Sequence, residues 1–479
     1  MSSSREDIHS TEWSSPERRS IVKPTWAALL LTLACPALVA AADSAPLRFG
    51  FAKRVITPAL GAQPVYMAGF DTNRPATGVH DDLWARAVAV SDGQTRVVIV
   101  SLDLIGFFLA DVDATRALLR ERAGAVELVV TSTHSHEGPD TMGLWGPGRF
   151  TSGVDPGYLA RVRRTVADTA AEALDRLEPA RLVLAKTRTP ALIVDSRLPE
   201  VIDDRLVVLH AVTPDDRTLG TVVSWSNHPE ALGGDNTLLT SDFPHYLNRR
   251  LEETLGGTAV FLIGSIGGLM TPMGLELVDA VGAPIPQDSF ALARAVGERV
   301  ATAAIAALRA KGRESASKAL EYRSARVFVP LENRLFRLAA FLGVLDRPVF
   351  SKSQPATAAF GDDLETEIGY LRIGDVEMLC VPGEIYPELV IGGIQDPQDP
   401  GADERGAPPE TPLQDLLTSD YRLVIGLAND EIGYIIPRSQ WDADAPFAYG
   451  RPEPQYGEIN SVGPSAAPLL TAAFTTLLE

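Results

Sequence analysis

The sequence predicts an α/β protein in which mixed or parallel β-sheets are flanked by helices, and two observations carry that prediction. Seven apolar runs bounded by turn residues read as buried strands, and four helical stretches lie between several of them. Strands that alternate with helices call for crossover connections, which separates this pattern from an all-β chain. The 479 residues are 45% hydrophobic and 22% charged, enough apolar material for a sizeable core.

In chain order, residues 1–25 are polar and include Arg18, Arg19 and Lys23, and Trp26 to Ala42 then runs without a charge. This reads as a secretory signal peptide, since the run falls short of the roughly 20 residues that a spanning helix needs. Ala40 and Ala42 place small residues at the −3 and −1 positions of a cut, so the exported chain is expected to begin at Asp43 and to be periplasmic or extracellular. The competing readings are an uncleaved membrane anchor and a lipoprotein cut before Cys35, where Thr32 stands in place of the expected Leu.

Past the leader, the expected strands lie within 96–107, 126–134, 205–212, 220–228, 259–264, 376–384 and 421–430. The expected helices cover 110–123, 157–177, 243–255 and 288–311. No internal repeat interrupts them, and the Pro/Asp/Gly-rich stretch 395–412 is short enough for a surface loop, so 43–479 is expected to be a single domain. Residues 333–350 carry Leu335, Phe336, Leu338, Phe341, Leu342 and Leu345 at near-helical spacing. That segment reads either as a core-facing amphipathic helix or as an apolar lid that receives an acyl chain or makes transient contact with a bilayer.

Forty-three Lys and Arg against sixty-two Asp and Glu give a formal charge of −19. So acidic a chain repels a phosphate backbone, which argues against nucleic acid as a partner and against electrostatic attachment to anionic lipid. Cys35 and Cys380 are the only cysteines, and no disulfide framework is expected.

The chemistry-bearing residues follow strands. His134 and His136 in Thr133-His134-Ser135-His136-Glu137 are two apart on what reads as an extended segment, where both side chains point to one side. By itself the pair suits joint metal binding, one ligand beside one proton shuttle, or two polar loop histidines. His228 closes a second apolar strand, Glu384 follows a Pro-Gly turn after a third, and Asn429, Asp430, Glu431 and Tyr434 follow a fourth. Strand ends in α/β folds converge on one crevice, so the repetition outweighs any single position. His210 alternates with apolar residues and reads as a core histidine, while His80 either lines the crevice or caps a turn.

At these segments the chain resembles the neutral ceramidase family. The motifs are MAGF (67–70), GVHDDLWARA (78–87), SLDLIG (101–106), THSHEGPDTMGLWGP (133–147), VDSRLP (194–199), NHPEALG (227–233), SDFPHY (241–246), VPGEIYPE (381–388), LANDEIGY (427–434) and YGEINSVGP (456–464), in one order across the chain. The resemblance implies a ceramidase-like catalytic domain with a zinc site formed by His134, His228, Glu384 and Tyr434, a donor set that suits Zn²⁺. It further implies that His136 transfers the proton, that Arg197 and Tyr456 orient the polar head of the substrate, and that Tyr434 takes part in catalysis. The implied reaction is hydrolysis of an amide, N-acyl bond without a covalent intermediate, in sphingolipid metabolism or on another N-acylated lipid or small molecule.

The chain departs from the family at Thr271-Pro272, where Ser-Pro would stand, and at His245 in SDFPHY. It ends at Glu479, where the family's immunoglobulin-like domain would follow. The alternative to an enzyme is a catalytically silent binding protein on the same fold. A metallo-β-lactamase is disfavoured because Gly138 occupies the position where its motif has Asp, and an amidohydrolase barrel because His134 and His136 do not follow the first strand.

Overall fold

Strands that are apolar at successive positions must be covered on both faces, and in the computed structural model of this chain they are. The structure describes residues 46–479 apart from 62, 352–353, 356–360 and 397. These residues fall within one compact unit, Ser44–Glu479. The expected export segment, 1–42, with Cys35 and the cut before Asp43, lies outside the described residues.

The first sheet contains β1 (Arg48–Val55), β2 (Trp84–Ser91), β3 (Arg96–Leu102) and β4 (Glu127–Ser132), in the order β4-β3-β2-β1, with Glu178–Pro179 at its far edge. All neighbours are antiparallel except β3 and β4, which run parallel. Side chains alternate along β3. Val98, Val100 and Leu102 pack with helices α1 (Leu109–Ala123) and α2 (Pro156–Asp175), whereas Val97 and Ile99 point into a second cluster on the opposite face.

That second cluster lies between two sheets. The partner sheet contains β5 (Arg181–Arg188), β6 (Arg205–Val212), β7 (Thr218–Trp225) and β8 (Thr258–Ile263), in the order β8-β7-β6-β5, with Arg313–Glu314 at the edge and β7 parallel to β8. Leu182, Leu209 and Val222 meet Phe49, Phe51 and Ile99 across the gap. The outer face packs on α3 (Phe243–Leu255) and α4 (Phe290–Lys311), so helices, sheet, sheet and helices form successive layers.

The third sheet is built on β9 (Leu320–Pro330) and β10 (Asp363–Ile373), antiparallel along their whole length, followed by β11 (Val376–Cys380) and β12 (Tyr421–Ile425), which run parallel. The short strands Phe350–Ser351 and Gln354–Pro355 complete it. An apolar cluster joins it to α6 (Pro387–Ile391) and α7 (Ala466–Leu478). No helix among the described residues is long and apolar enough to cross a membrane.

The helices begin where local chemistry caps them. Asp155 accepts a hydrogen bond from the Gly157 amide at 2.8 Å ahead of α2, with Pro156 in the first turn, and Ser289 accepts one from the Leu292 amide ahead of α4. All seven expected strands and four expected helices are present. Several strands, including β1, β9 and β10, escape the sequence pattern because charged and apolar residues mix along them.

The segment 333–350 is not the core-facing helix that its spacing allows. Helix α5 (Arg334–Phe341) has no buried residue, and Leu335, Leu338, Phe341 and Leu342 are exposed. Only Phe336, Ala339 and Ala340 turn inward, onto a small cluster of Ala68, Ile105, Phe108, Met142 and Leu345. The helix carries apolar residues on two sides, and on one of them Leu335, Leu338 and Leu342 are exposed among the described residues.

Each sheet therefore ends in one parallel pair, and the ends are joined. The Thr131 hydroxyl donates to the Gly426 carbonyl at 2.7 Å, the Asn429 amide to Val130, the Gly264 amide to Trp225, and the Gly426 amide to Ile263. This junction of the three sheets is where the segments carrying His134, His228, Glu384 and Tyr434 emerge.

Candidate metal centre and active site

His134 and His136 lie beyond the end of β4, on a turn. His134 has φ 65, in the left-handed region that costs a non-glycine residue of order 1–3 kcal/mol and persists only where surroundings hold it. Its amide donates to the Leu104 carbonyl at 2.9 Å, and the His136 amide donates to Pro229 at 3.0 Å. The expectation of two rings on one face of an extended strand is thereby corrected: the turn brings their centroids to 5.1 Å at an interplanar angle of 68°. Gly69 of MAGF explains its own place in the pattern. At φ +98, any Cβ there would stand 2.4 Å from the His136 ring.

His228 follows β7. Its amide and its Nδ1 both face the Met270 carbonyl, each at 2.8 Å, so the segment GSIGGLMTPMG enters the site through a backbone oxygen. His134 Nδ1 likewise lies 2.7 Å from the Ile105 carbonyl. A ring whose Nδ1–H is given to a carbonyl presents a lone pair at Nε2. Both Nε2 atoms converge on Glu384 Oε2, His228 at 3.0 Å and His134 at 3.4 Å.

Glu384 follows β11 across the Pro382-Gly383 turn and forms, with Ile385, a two-residue parallel bridge to Tyr434-Ile435. The Tyr434 hydroxyl faces the Glu384 carboxylate and favours its ionised form. Tyr434 is buried and stacks edge-on against Tyr386 and Tyr456.

The electrostatics follow from burial. Burial pushes His134 down to about 4 against the pull of Glu384, and holds His136 well below the usual imidazole range, with His134, His228 and Arg74 adding to the effect. Burial also works against a charged His228, but its hydrogen bond to Glu384 and the charges of Glu230 and Glu384 prevail and raise its pKa. Glu384, which burial alone would push up, is held below the usual carboxylate range by His134, His228 and Tyr434. These opposed shifts fall on the groups whose atoms meet at Glu384 Oε2.

His134, His136 and His228 each offer a donor atom within 4.8 Å of the others, and could hold a metal ion. The donor chemistry fits zinc. Two ligands of a tetrahedral zinc with bonds of about 2.0–2.1 Å stand ~3.3 Å apart, close to the separations of Glu384 Oε2 from the two Nε2 atoms.

The other expected residues are placed as follows. Arg197 is buried, with its guanidinium in a bidentate pair with Glu458 at 2.6 and 2.9 Å, and it donates to the carbonyls of Tyr456 and Gln440. Tyr456 is half exposed beside Tyr434, and its hydroxyl accepts a hydrogen bond from Asn460. Burial and the charge of Glu384 push the Tyr456 phenol up to about 12. Asn429 turns to Glu367, and Asp430 pairs with Arg347 and Thr366. Glu431 is buried near Glu384, with its Oε2 unpartnered and its pKa raised by burial and by that neighbour.

His80 stacks on Phe290 and pairs with Asp81, which also faces His245 at 3.4 Å, so GVHDD and SDFPHY brace one another. His210 bonds Thr221 on the neighbouring strand. Glu230, whose Oε2 is 3.3 Å from His136 Nδ1, was not singled out by the sequence reading. Its only signal there is a position two residues after the strand-end histidine.

No family model and no curated protein matches the chain. Among solved structures, the neutral ceramidase from Pseudomonas aeruginosa superposes with a TM-score of 0.68 and 18% identity, over 91% of this chain and 74% of that one. A ceramidase complexed with C2 gives the same TM-score and identity, over 91% and 75%. At that identity the likeness concerns the fold, and the chain has the neutral ceramidase fold.

Proposed function

We propose that the chain is an exported, zinc-dependent hydrolase that cleaves amide, N-acyl bonds in a ceramide-like lipid or another N-acylated compound. The convergence of His134 Nε2 and His228 Nε2 on Glu384 Oε2 supports this reading best. Three acceptors meeting in a buried site need a cation. His134, His228 and Glu384, with Tyr434 against the carboxylate, would hold the metal.

Zinc, when bound, supplies a Lewis acid for the carbonyl and lowers the pKa of a water molecule. His136, neutral and with no partner for its Nε2, takes a proton from the attacking water and returns it to the leaving amine nitrogen. Tyr434 orients the Glu384 carboxylate through its hydroxyl. Tyr456, at the exposed margin, keeps its own O–H free to donate to a polar head while accepting from Asn460. Arg197 acts through the backbone of Tyr456. Helix α5 packs its inward residues, Phe336, Ala339 and Ala340, against the cluster that contains Ile105 and Ala68, and its exposed Leu335, Leu338 and Leu342 suit an acyl chain or a transient apolar contact with a bilayer.

A second arrangement is favoured by the mutual closeness of all three imidazoles: His134, His136 and His228 as joint ligands. Elemental analysis of the purified protein, together with a screen of N-acyl lipids and N-acyl amino compounds, tests the proposal. One equivalent of zinc and turnover of an N-acyl substrate are expected. A folded protein that takes up no zinc would overturn it, and bound zinc without turnover of any substrate would favour the silent binding protein.

A further inference from the structure

We infer that Glu230 is a positioning residue for His136, the two forming a histidine–carboxylate dyad that separates the proton-transferring ring from the two metal-facing rings; this rests on the hydrolytic reading above.

The three imidazoles differ in what stands behind them. Nδ1 of His134 and Nδ1 of His228 each face a backbone carbonyl, at 2.7 and 2.8 Å. Nδ1 of His136 faces a carboxylate, Glu230 Oε2, at 3.3 Å. A carbonyl sets the tautomer of a ring and does little more. A carboxylate sets the tautomer and also stabilises the imidazolium that forms when the ring takes a proton, as a proton shuttle needs.

The geometry around the dyad is constrained. The His136 amide donates to the carbonyl of Pro229, so the residue before Glu230 is tied to the histidine it serves. Gly69 leaves room for the ring on one side, and Phe70 stands edge-on to it at 5.0 Å. Both ring nitrogens of His136 are buried without a hydrogen-bond partner of proper geometry. A buried polar atom left in that state is costly. Glu230 is within reach of one nitrogen, and at 3.3 Å a modest turn of its carboxylate closes the bond. Such bonds are commonly long before substrate arrives. Among the described residues no other side chain hydrogen-bonds the Glu230 carboxylate, which is little exposed and free to serve the ring.

The proton balance is simple. His136 Nε2 accepts a proton from the attacking water, the Nδ1 proton stays between the ring and Glu230, and the Nε2 proton passes to the leaving amine nitrogen.

Three measurements on the full zinc-loaded protein test the dyad: nitrogen-15 spectra of labelled histidines, assigned with His136→Ala; kcat and KM on an N-acyl substrate; and zinc content. Wild type is expected to show His136 with its proton on Nδ1. Glu230→Ala should lose that preference and about 100-fold in kcat, the order of a misplaced catalytic group, with KM and zinc unchanged. Glu230→Gln, which still accepts a hydrogen bond but carries no charge, should keep the tautomer and lose about tenfold in kcat, and it decides the matter if Glu230→Ala does not fold. An unchanged tautomer in Glu230→Ala, a raised KM with intact kcat, a loss of zinc, or wild-type kcat in Glu230→Gln would overturn the inference. If wild type turns over no N-acyl substrate the hydrolytic reading fails, and the tautomer spectra, which need no substrate, still decide whether Glu230 governs the ring.

Discussion

Glu384 and Tyr434 stand opposite each other as register partners in a two-residue parallel bridge, and the tyrosine hydroxyl faces the carboxylate on which two histidines converge. The bridge extends the direction of the parallel pair β11 and β12 past their Pro-Gly and Ala-Asn turns, so the backbone itself delivers both side chains to one point. Tyr434→Phe keeps the ring that packs against Tyr386 and Tyr456 and removes only the hydroxyl. Zinc affinity is expected to fall about 10–100-fold, the usual cost of losing an orienting partner or weak ligand, with the fold retained. Competition titration against a chromophoric chelator measures it, and unaltered affinity would show that the carboxylate is held without the tyrosine.

The histidines of THSHEGPD should differ in kind when removed. His134→Ala is expected to lose both zinc and turnover. His136→Ala should retain zinc and lose roughly 10²–10⁴-fold in rate, the worth of a positioned acid–base group. Zinc content alongside kcat reads this directly, and loss of zinc from both variants would establish all three imidazoles as ligands.

Arg197 and Glu458 form a buried ion pair, and removing one partner leaves the other charge without compensation. Glu458→Gln should therefore destabilise the protein by about 3–5 kcal/mol in denaturant unfolding. A change below about 1 kcal/mol, the usual worth of an exposed pair, would mean that water reaches the guanidinium.

Burial, with the charge of Asp195, pushes the Glu388 carboxyl from its ordinary 4.5 to about 8, against its own backbone amide, Gln440 and Arg197. The folded protein therefore keeps a proton that the unfolded chain releases. Its contribution to stability is complete below about pH 4.5 and is lost as pH rises to about 8, by at most about 5 kcal/mol. Glu388→Gln removes that dependence. Relative to wild type, the variant should gain stability between pH 4.5 and 8 and run parallel to it above; a constant difference across that window would refute the buried neutral carboxyl.

N-terminal sequencing of protein recovered outside the cytoplasm is expected to begin at Asp43. A start at Met1 in membrane fractions would identify an uncleaved anchor, and a lipid on Cys35 a lipoprotein.

By itself, the sequence determined the strands and helices whose apolar runs are unbroken, because residues such as those of β3 and β6 are buried whichever neighbours they find. It also determined which polar residues close those strands: His134, His228, Glu384 and Tyr434 are each legible as the end of a run. Tertiary structure alone decided what those residues do together. The three parallel pairs come from distant parts of the chain, and only their junction at Thr131, Gly264 and Gly426 brings the four side chains to one place. The left-handed turn at His134 replaced the expected extended pair, since the backbone there is held by Leu104 and Pro229 rather than by a strand partner. Arg197, to which the family resemblance gives a part in orienting the substrate, pairs with Glu458, a partner that no spacing announces. The apolar spacing of α5 was visible in sequence, but which of its residues turn inward depends on the cluster of Ala68, Ile105 and Met142 that it meets. Glu230 went unmarked for the same reason: a carboxylate acquires a role from the ring it meets, and that meeting exists only in three dimensions.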